Sequence, residues 1–289
     1  MRKVTDESWQ LKISRAREHV RALESEIASY MAGNPLEIVS EQHPGRLELK
    51  VVVRQPVPAR WSTIVGDVLH NARSALDAAL LSIVIEEQTR RGRLLSPEEQ
   101  RFLQFPIMRT PTKFTDACTK GRKNLTLQDL LSPQGLDALR SVQPFWFWEQ
   151  VAADEGRTFT DVEAEEGSAR EELPWLQELS NIDKHRHVHL LPMLPSTVAH
   201  PPLEGVTWQF NPHPPTSAGG TVGWFLHPER DLPPGFVGEV HSTLVLPPGD
   251  DGKPFHTYPL RVTDDLDNLV GAADTAARKF MTRARSALV

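Results

Sequence analysis

At 289 residues the chain is long enough for one large domain or two, and for a substantial core. Its 39% hydrophobic and 24% charged content is that of a soluble globular protein. A net charge of −6 argues against a global electrostatic hold on DNA or an anionic membrane, although it leaves a local basic cleft open. Cys118 stands alone, which excludes an intrachain disulfide framework and a cysteine-rich zinc site and fits a reducing cytoplasm.

In chain order, the polar N-terminus lacks a signal-peptide core and leads into a predicted helix over 6–32. Trp9, Ile13, Ala16, Val20, Leu23, Ile27 and Met31 form its apolar stripe, and Gly33-Asn34-Pro35 stops it. Residues 46–54 alternate as a strand ended by Pro56 and Pro58. A long helix follows over 62–90, with Ser62 as its cap. Its longest apolar run, 75–85, is interrupted by Asp77 and Ser82 and reads as too short and too polar for a bilayer. Ser96-Pro97 and Ser132-Pro133 start short helices, because the serine caps and the proline suits a first turn. Residues 112–150 read as two or three such helices. The aromatic run Phe145-Trp146-Phe147-Trp148 suits packing between layers better than stacking on bases.

Residues 152–172 are acidic and weakly patterned, the composition of an exposed loop. A helix over 174–186 carries Trp175, Leu176, Leu179 and Ile182, and 188–194 reads as extended. Strands follow at 206–210, 222–226, 237–246 and 257–262, and then a C-terminal amphipathic helix over 264–287. This order predicts an α+β fold in a single domain over 1–289, with a long central buried helix packed beside a mainly antiparallel sheet. The helical part runs to about residue 186 and includes strand 46–54, and the strand-rich part spans 187–262.

The chain is organised around Gly66-Asp67-Val68-Leu69-His70-Asn71-Ala72-Arg73-Ser74-Ala75-Leu76-Asp77. At helical spacing Asp67, His70, Arg73, Ser74 and Asp77 share one stripe, while apolar residues fill most of the remaining wheel. A helix apolar nearly all round is a buried one, so the stripe is expected to face the protein or a cleft. Buried charges need partners. The second concentration of charge, Asn181-Ile182-Asp183-Lys184-His185-Arg186, supplies them. The macrodipole explains cations at a helix C-terminus but not Asp183, so the two stretches are expected to touch.

Two functions fit this cluster. One is metal-independent acid–base chemistry on a phosphate-containing substrate such as RNA. In it His70 or His185 moves protons, Arg73, Lys184 or Arg186 holds the anion, Asp77 or Asp183 orients an imidazole, and Asn71 and Asn181 contact substrate. The other is a non-enzymatic binding or scaffold protein whose cluster is a buried structural network. His185, His187 and His189 alternate, but H-x-H alone is a weak motif, so neither metal nor cofactor is expected. There is no Walker A loop, no Gly-x-Gly-x-x-Gly and no Gly-x-Ser-x-Gly elbow. The expected setting is cytoplasmic and without membrane. Nucleic acid is a candidate partner that the net charge does not favour, and self-association stays open.

The motifs Gly66-Asp67-x-Leu69-His70-Asn71-x-Arg73-Ser74-Ala75-Leu76-Asp77 and Asn181-x-Asp183-Lys184-His185-Arg186 resemble those of a widespread uncharacterised family of bacterial proteins. The likeness covers most of the chain, and it implies a motif but no reaction. His187 and His189 fall outside it. A fainter likeness is to the helical HEPN ribonucleases, where a His follows an Arg by about five residues. Here His70 precedes Arg73 and His185 adjoins Arg186, so the pattern departs from that family and suggests only a ribonuclease assay.

Overall fold

The structure is a computed structural model that describes residues 8–33, 35–44, 46–121, 125–168, 171–185, 191–199, 207–210, 221–226, 239–245 and 262–286. The helices are α1 (Ser8–Ala32), α2 (Arg60–Arg90), α3 (Pro97–Arg101), α4 (Pro111–Thr119), α5 (Leu127–Leu130), α6 (Pro133–Arg140), α7 (Trp146–Asp154), α8 (Asp161–Ser168), α9 (Glu172–His185) and α10 (Val262–Ser286). The chain forms two compact units, one from residues 1–20, 65–187 and 266–289, the other from 21–64 and 188–265.

The first unit is built on α2. Val65, Val68, Leu69, Ala72, Ala75, Leu76, Ala79, Leu80, Ile83 and Val84 are wholly buried along it. Burying each of the larger ones contributes about 1.5–3 kcal/mol. In α1, Trp9, Ile13, Ala16 and Val20 are buried; in α10, Leu266, Leu269, Ala273, Ala277 and Phe280. Phe280 meets Phe105 edge-on at 5.8 Å. Arg17 of α1 donates to Asp274 of α10 at 2.9 Å, and Arg278 lies over the Trp9 ring at 5.2 Å.

The short helices start where their sequences say they should. Ser96, Thr110 and Ser132 each accept an N-terminal N–H of the helix that follows, with proline in the first turn. The expected acidic loop over 152–172 is corrected, because α7 reaches Asp154 and α8 occupies Asp161–Ser168. Thr160 and Glu163 exchange cap hydrogen bonds, and Ala164 and Ser168 are buried, so a short capped helix forms without strong periodicity.

The C-terminal half of α2 holds the α5–α6 connection. Glu87 is 2% exposed and accepts from the Ser132 amide, the Ser132 hydroxyl and Arg91. Gln88 donates to the Leu130 carbonyl at 2.7 Å. Residue 135 is glycine because a Cβ there would collide with Glu87 Oε1.

In the second unit β1 (Leu36–His43) and β2 (Arg46–Val53) pair antiparallel, from Leu36 opposite Val53 to His43 opposite Arg46. β3 is Leu191–Ala199, β4 Thr207–Phe210, β5 Thr221–Leu226 and β6 Glu239–Val245. The sheet order is β1-β2-β5-β4, and β3 pairs separately with β6. Glu26 accepts from Arg60 Nε and Trp61 Nε1, at 2.9 and 2.7 Å.

The expected α+β fold, a central helix packed beside an antiparallel sheet, is therefore overturned. The unit that carries α2 is all-α, with no strand among its described residues. The apolar stripes of α1 and α10, with Phe105 and the short helices, supply its core, so burial of α2 requires no sheet. Residues 257–261 of the expected last strand lie outside the described residues, and Val262 is the first residue of α10. By length and composition α2 could cross a membrane, contrary to the reading of its apolar run, but 67% of that apolar window is buried in the protein, as in a core helix.

Asp265 lies in the first turn of α10, where the helix N-terminus favours negative charge. Burial outweighs that pull and, with repulsion from Asp264, pushes its carboxyl from 3.8 up to about 7. The folded state thus keeps a proton that the unfolded chain releases. Stability contributed by this group is complete below pH 3.8 and is lost as pH rises towards 7, at up to about 1.4 kcal/mol per pH unit. Urea unfolding of Asp265→Asn should therefore gain on the parent between pH 4 and 8. Parallel stability curves would show that Asp265 titrates normally.

Candidate functional site

The polar stripe of α2 does not behave as one unit. Asp67 and His70 are exposed, Asn71, Ser74 and Asp77 are half-buried, and Arg73 is 8% exposed. The expectation that the whole stripe faces inward is corrected for Asp67 and His70. Asn71 Nδ2 donates to the Asp67 carbonyl at 2.7 Å, a contact within the helix. His70 Nε2 lies 3.4 Å from Ser74 Oγ.

Arg73 and Asp77 are committed to the backbone of one residue. Arg73 Nη2 donates to the Phe105 carbonyl at 2.6 Å, and the Phe105 N–H donates to Asp77 Oδ1 at 2.8 Å. Between the two side chains Nη1 and Oδ1 are 3.0 Å apart. Burial lowers the affinity of Arg73 for its proton, and the Asp77 charge opposes that effect. The same irregular segment is held from its other side. Gln143, 4% exposed, donates to the Pro106 carbonyl and accepts from the Met108 N–H, and Ser168 donates to the Arg109 carbonyl. Gln143 and Phe105 belong to this site although neither stands out by charge or periodicity in the sequence. The available signal was Phe105-Pro106-Ile107 itself, an apolar stretch outside any periodic element whose main chain still needs partners.

The two motif stretches do touch. A Cβ on residue 66 would lie 2.7 Å from Asp183 Oδ1 and 3.1 Å from its Cγ, so glycine lets the α9 carboxylate rest on α2. Asn181 is exposed and accepts from Gln177 Nε2 at 3.0 Å. Lys184 and His185 end α9, but their side chains, and Arg186, His187 and His189 entirely, lie outside the described residues. Among the described residues no cluster of three His, Cys, Asp or Glu side chains could hold a metal ion.

A cleft of about 510 Å³ opens beside the Phe105 segment. Arg73 and Asp77 of α2, residues 101–108, Lys120, and Gln177 and Asn181 of α9 line it. The structure therefore brings Arg73, Asp77 and Asn181 to one cleft and Asp183 to Gly66. His70, Asp67 and Asn71 are not in the cleft wall.

Gly66→Ala should gain about 1 kcal/mol from helix propensity but lose about 1–3 kcal/mol through overpacking against Asp183. We expect net destabilisation by urea unfolding, and a reversal to stabilisation when Asp183→Ala is already present. The same sign in both backgrounds would mean that the contact carries no weight. Comparison of the chain with protein-family models, with curated proteins and with solved structures gives no match, so no relative assigns a role to these residues.

Proposed function

We propose that the chain is a non-enzymatic binding or scaffold protein whose Arg73–Asp77 pair is architecture. The observation that carries this reading is that both side chains spend hydrogen bonds on the backbone of Phe105. A catalytic carboxylate of the expected kind orients an imidazole; here the carboxylate oxygen binds a peptide N–H.

The two partners differ in burial, and that sets the size of the effects. Asp77→Ala leaves a buried guanidinium without its counter-charge, which costs about 3–5 kcal/mol. Arg73→Met leaves Asp77, whose side chain is 33% exposed, within reach of water and frees one carbonyl. That should cost about 1–3 kcal/mol. Urea unfolding should rank Asp77→Ala as the more damaging, with the double variant below the sum. Unchanged stability in both would refute an architectural role.

A second reading is acid–base chemistry on a phosphate-containing substrate such as RNA, with His70 as proton carrier. It is favoured by Asp183, which rests on Gly66 one helical turn before the exposed His70. Cleavage of a fluorogenic ribo-oligonucleotide, lost on His70→Ala with folding intact, would support it. Equal or absent cleavage in parent and variant sinks it.

A further inference from the structure

The cleft beside Phe105 differs in charge from the chain that builds it. The whole chain carries −6, yet among the described residues the charged side chains lining the cleft are Arg73, Arg101 and Lys120 against Asp77. Lys120 is paired with Asp116 at 2.6 Å, and Arg73 is paired with Asp77. Arg101 is exposed on α3. Arg73 also retains unused donor capacity: Nη1 is buried, sits 3.0 Å from Asp77 Oδ1, and makes no hydrogen bond of acceptable geometry among the described residues. Asp77 Oδ1 is already engaged by the Phe105 N–H. A buried guanidinium N–H is costly to leave unmade, and the planar fork suits an oxyanion.

The rest of the wall is mixed, with Gln104, Gln177 and Asn181 beside apolar side chains. Leu103, Ile107, Leu127 and Leu130 contribute to it and are buried or nearly so. The volume, about 510 Å³, lies in the range of small-molecule sites. A wall that carries both cationic and apolar side chains fits a ligand that is anionic and part hydrocarbon.

We propose that this cleft binds a small amphipathic organic anion, its oxyanion held by Arg73 and Arg101 and its hydrocarbon part on Leu103 and Ile107. The proposal rests on reading the chain as a binding protein, and it names the class of ligand. A neutral or cationic ligand of the same shape would leave the Arg73 donor unmet.

Calorimetric titration with octanoate, octyl phosphate, octanol and octyltrimethylammonium tests it. Saturable one-to-one binding is expected for at least one of the two anions, and the stronger binder distinguishes carboxylate from phosphate. Octanol should bind more weakly, and octyltrimethylammonium not at all. Arg101→Glu, on the exposed rim, should weaken the anion by at least about fivefold, the scale of one charge-assisted contact, without changing Tm. Asn181→Trp, also at an exposed position, should block the cleft. Binding of neither anion, equal binding of the cation, or indifference to Arg101→Glu overturns the proposal. Unfolding of the Arg73 and Asp77 variants reports on the architecture separately, so a failure of ligand binding alone leaves that reading standing.

Discussion

The first unit depends on burying a stretch of main chain that has neither a helix nor a sheet to satisfy it. Phe105, Pro106 and Ile107 are buried, and Phe105 packs on Phe280 in α10. A buried peptide group without a partner costs on the order of 1–3 kcal/mol, so several in a row would outweigh the gain from the phenylalanine. The chain meets the demand with side chains from three places. Arg73 and Asp77 come from α2, Gln143 follows α6, and Ser168 ends α8. Pro106 lightens the load, because it has a carbonyl to satisfy and no N–H. Three parts of the helical unit are thereby tied to one segment.

The same solution recurs further along α2. Glu87 receives the Ser132 amide and hydroxyl, and Gln88 reaches the Leu130 carbonyl. In both cases polar side chains on an otherwise apolar helix hold a connection that has to turn inside the protein. Apolar burial alone is non-directional and would tolerate several rotations of α2 against its neighbours. A carboxylate that must meet a particular N–H fixes one of them. The polar positions of this helix therefore select its orientation, while the leucines and valines supply most of the free energy.

Much of this was legible in the sequence, and the limits have physical causes. The helix over α2 follows from its apolar wheel, and the starts of α3 and α6 follow from Ser-Pro pairs whose mechanism is local. The meeting of Asp183 with α2 follows from a carboxylate placed where the helix dipole disfavours it, although its seat on Gly66 depends on the absence of a side chain. The partners of Arg73 and Asp77 were not legible, because a backbone carbonyl and a backbone N–H leave no mark in the sequence. An anion and an imidazole are the partners that side chains alone suggest for Arg73 and Asp77. The exposure of His70 is hidden from the sequence for a related reason. A wide apolar arc predicts that most of a helix is covered, but the neighbours decide which edge stays open. The sheet expected beside α2 failed because periodicity shows that a face is apolar and not what covers it, and helical stripes can do so as well as a sheet.

Architecture and binding meet in Arg73. Its guanidinium has five N–H donors, and the Phe105 carbonyl takes a bond from only one of its nitrogens at 2.6 Å. Asp77 balances the charge but is itself hydrogen-bonded to the Phe105 amide, so it neutralises Nη1 without satisfying its hydrogen-bonding geometry. A lysine could balance Asp77 as a point charge, but it lacks the fork that lets one group grip a carbonyl and still offer a second nitrogen to a ligand. If stability were the only demand, a well-packed apolar pair could replace a buried ion pair at little cost or with a gain. Keeping the pair at the wall of a cleft makes physical sense when the fold uses one side of the guanidinium and a bound oxyanion uses the other.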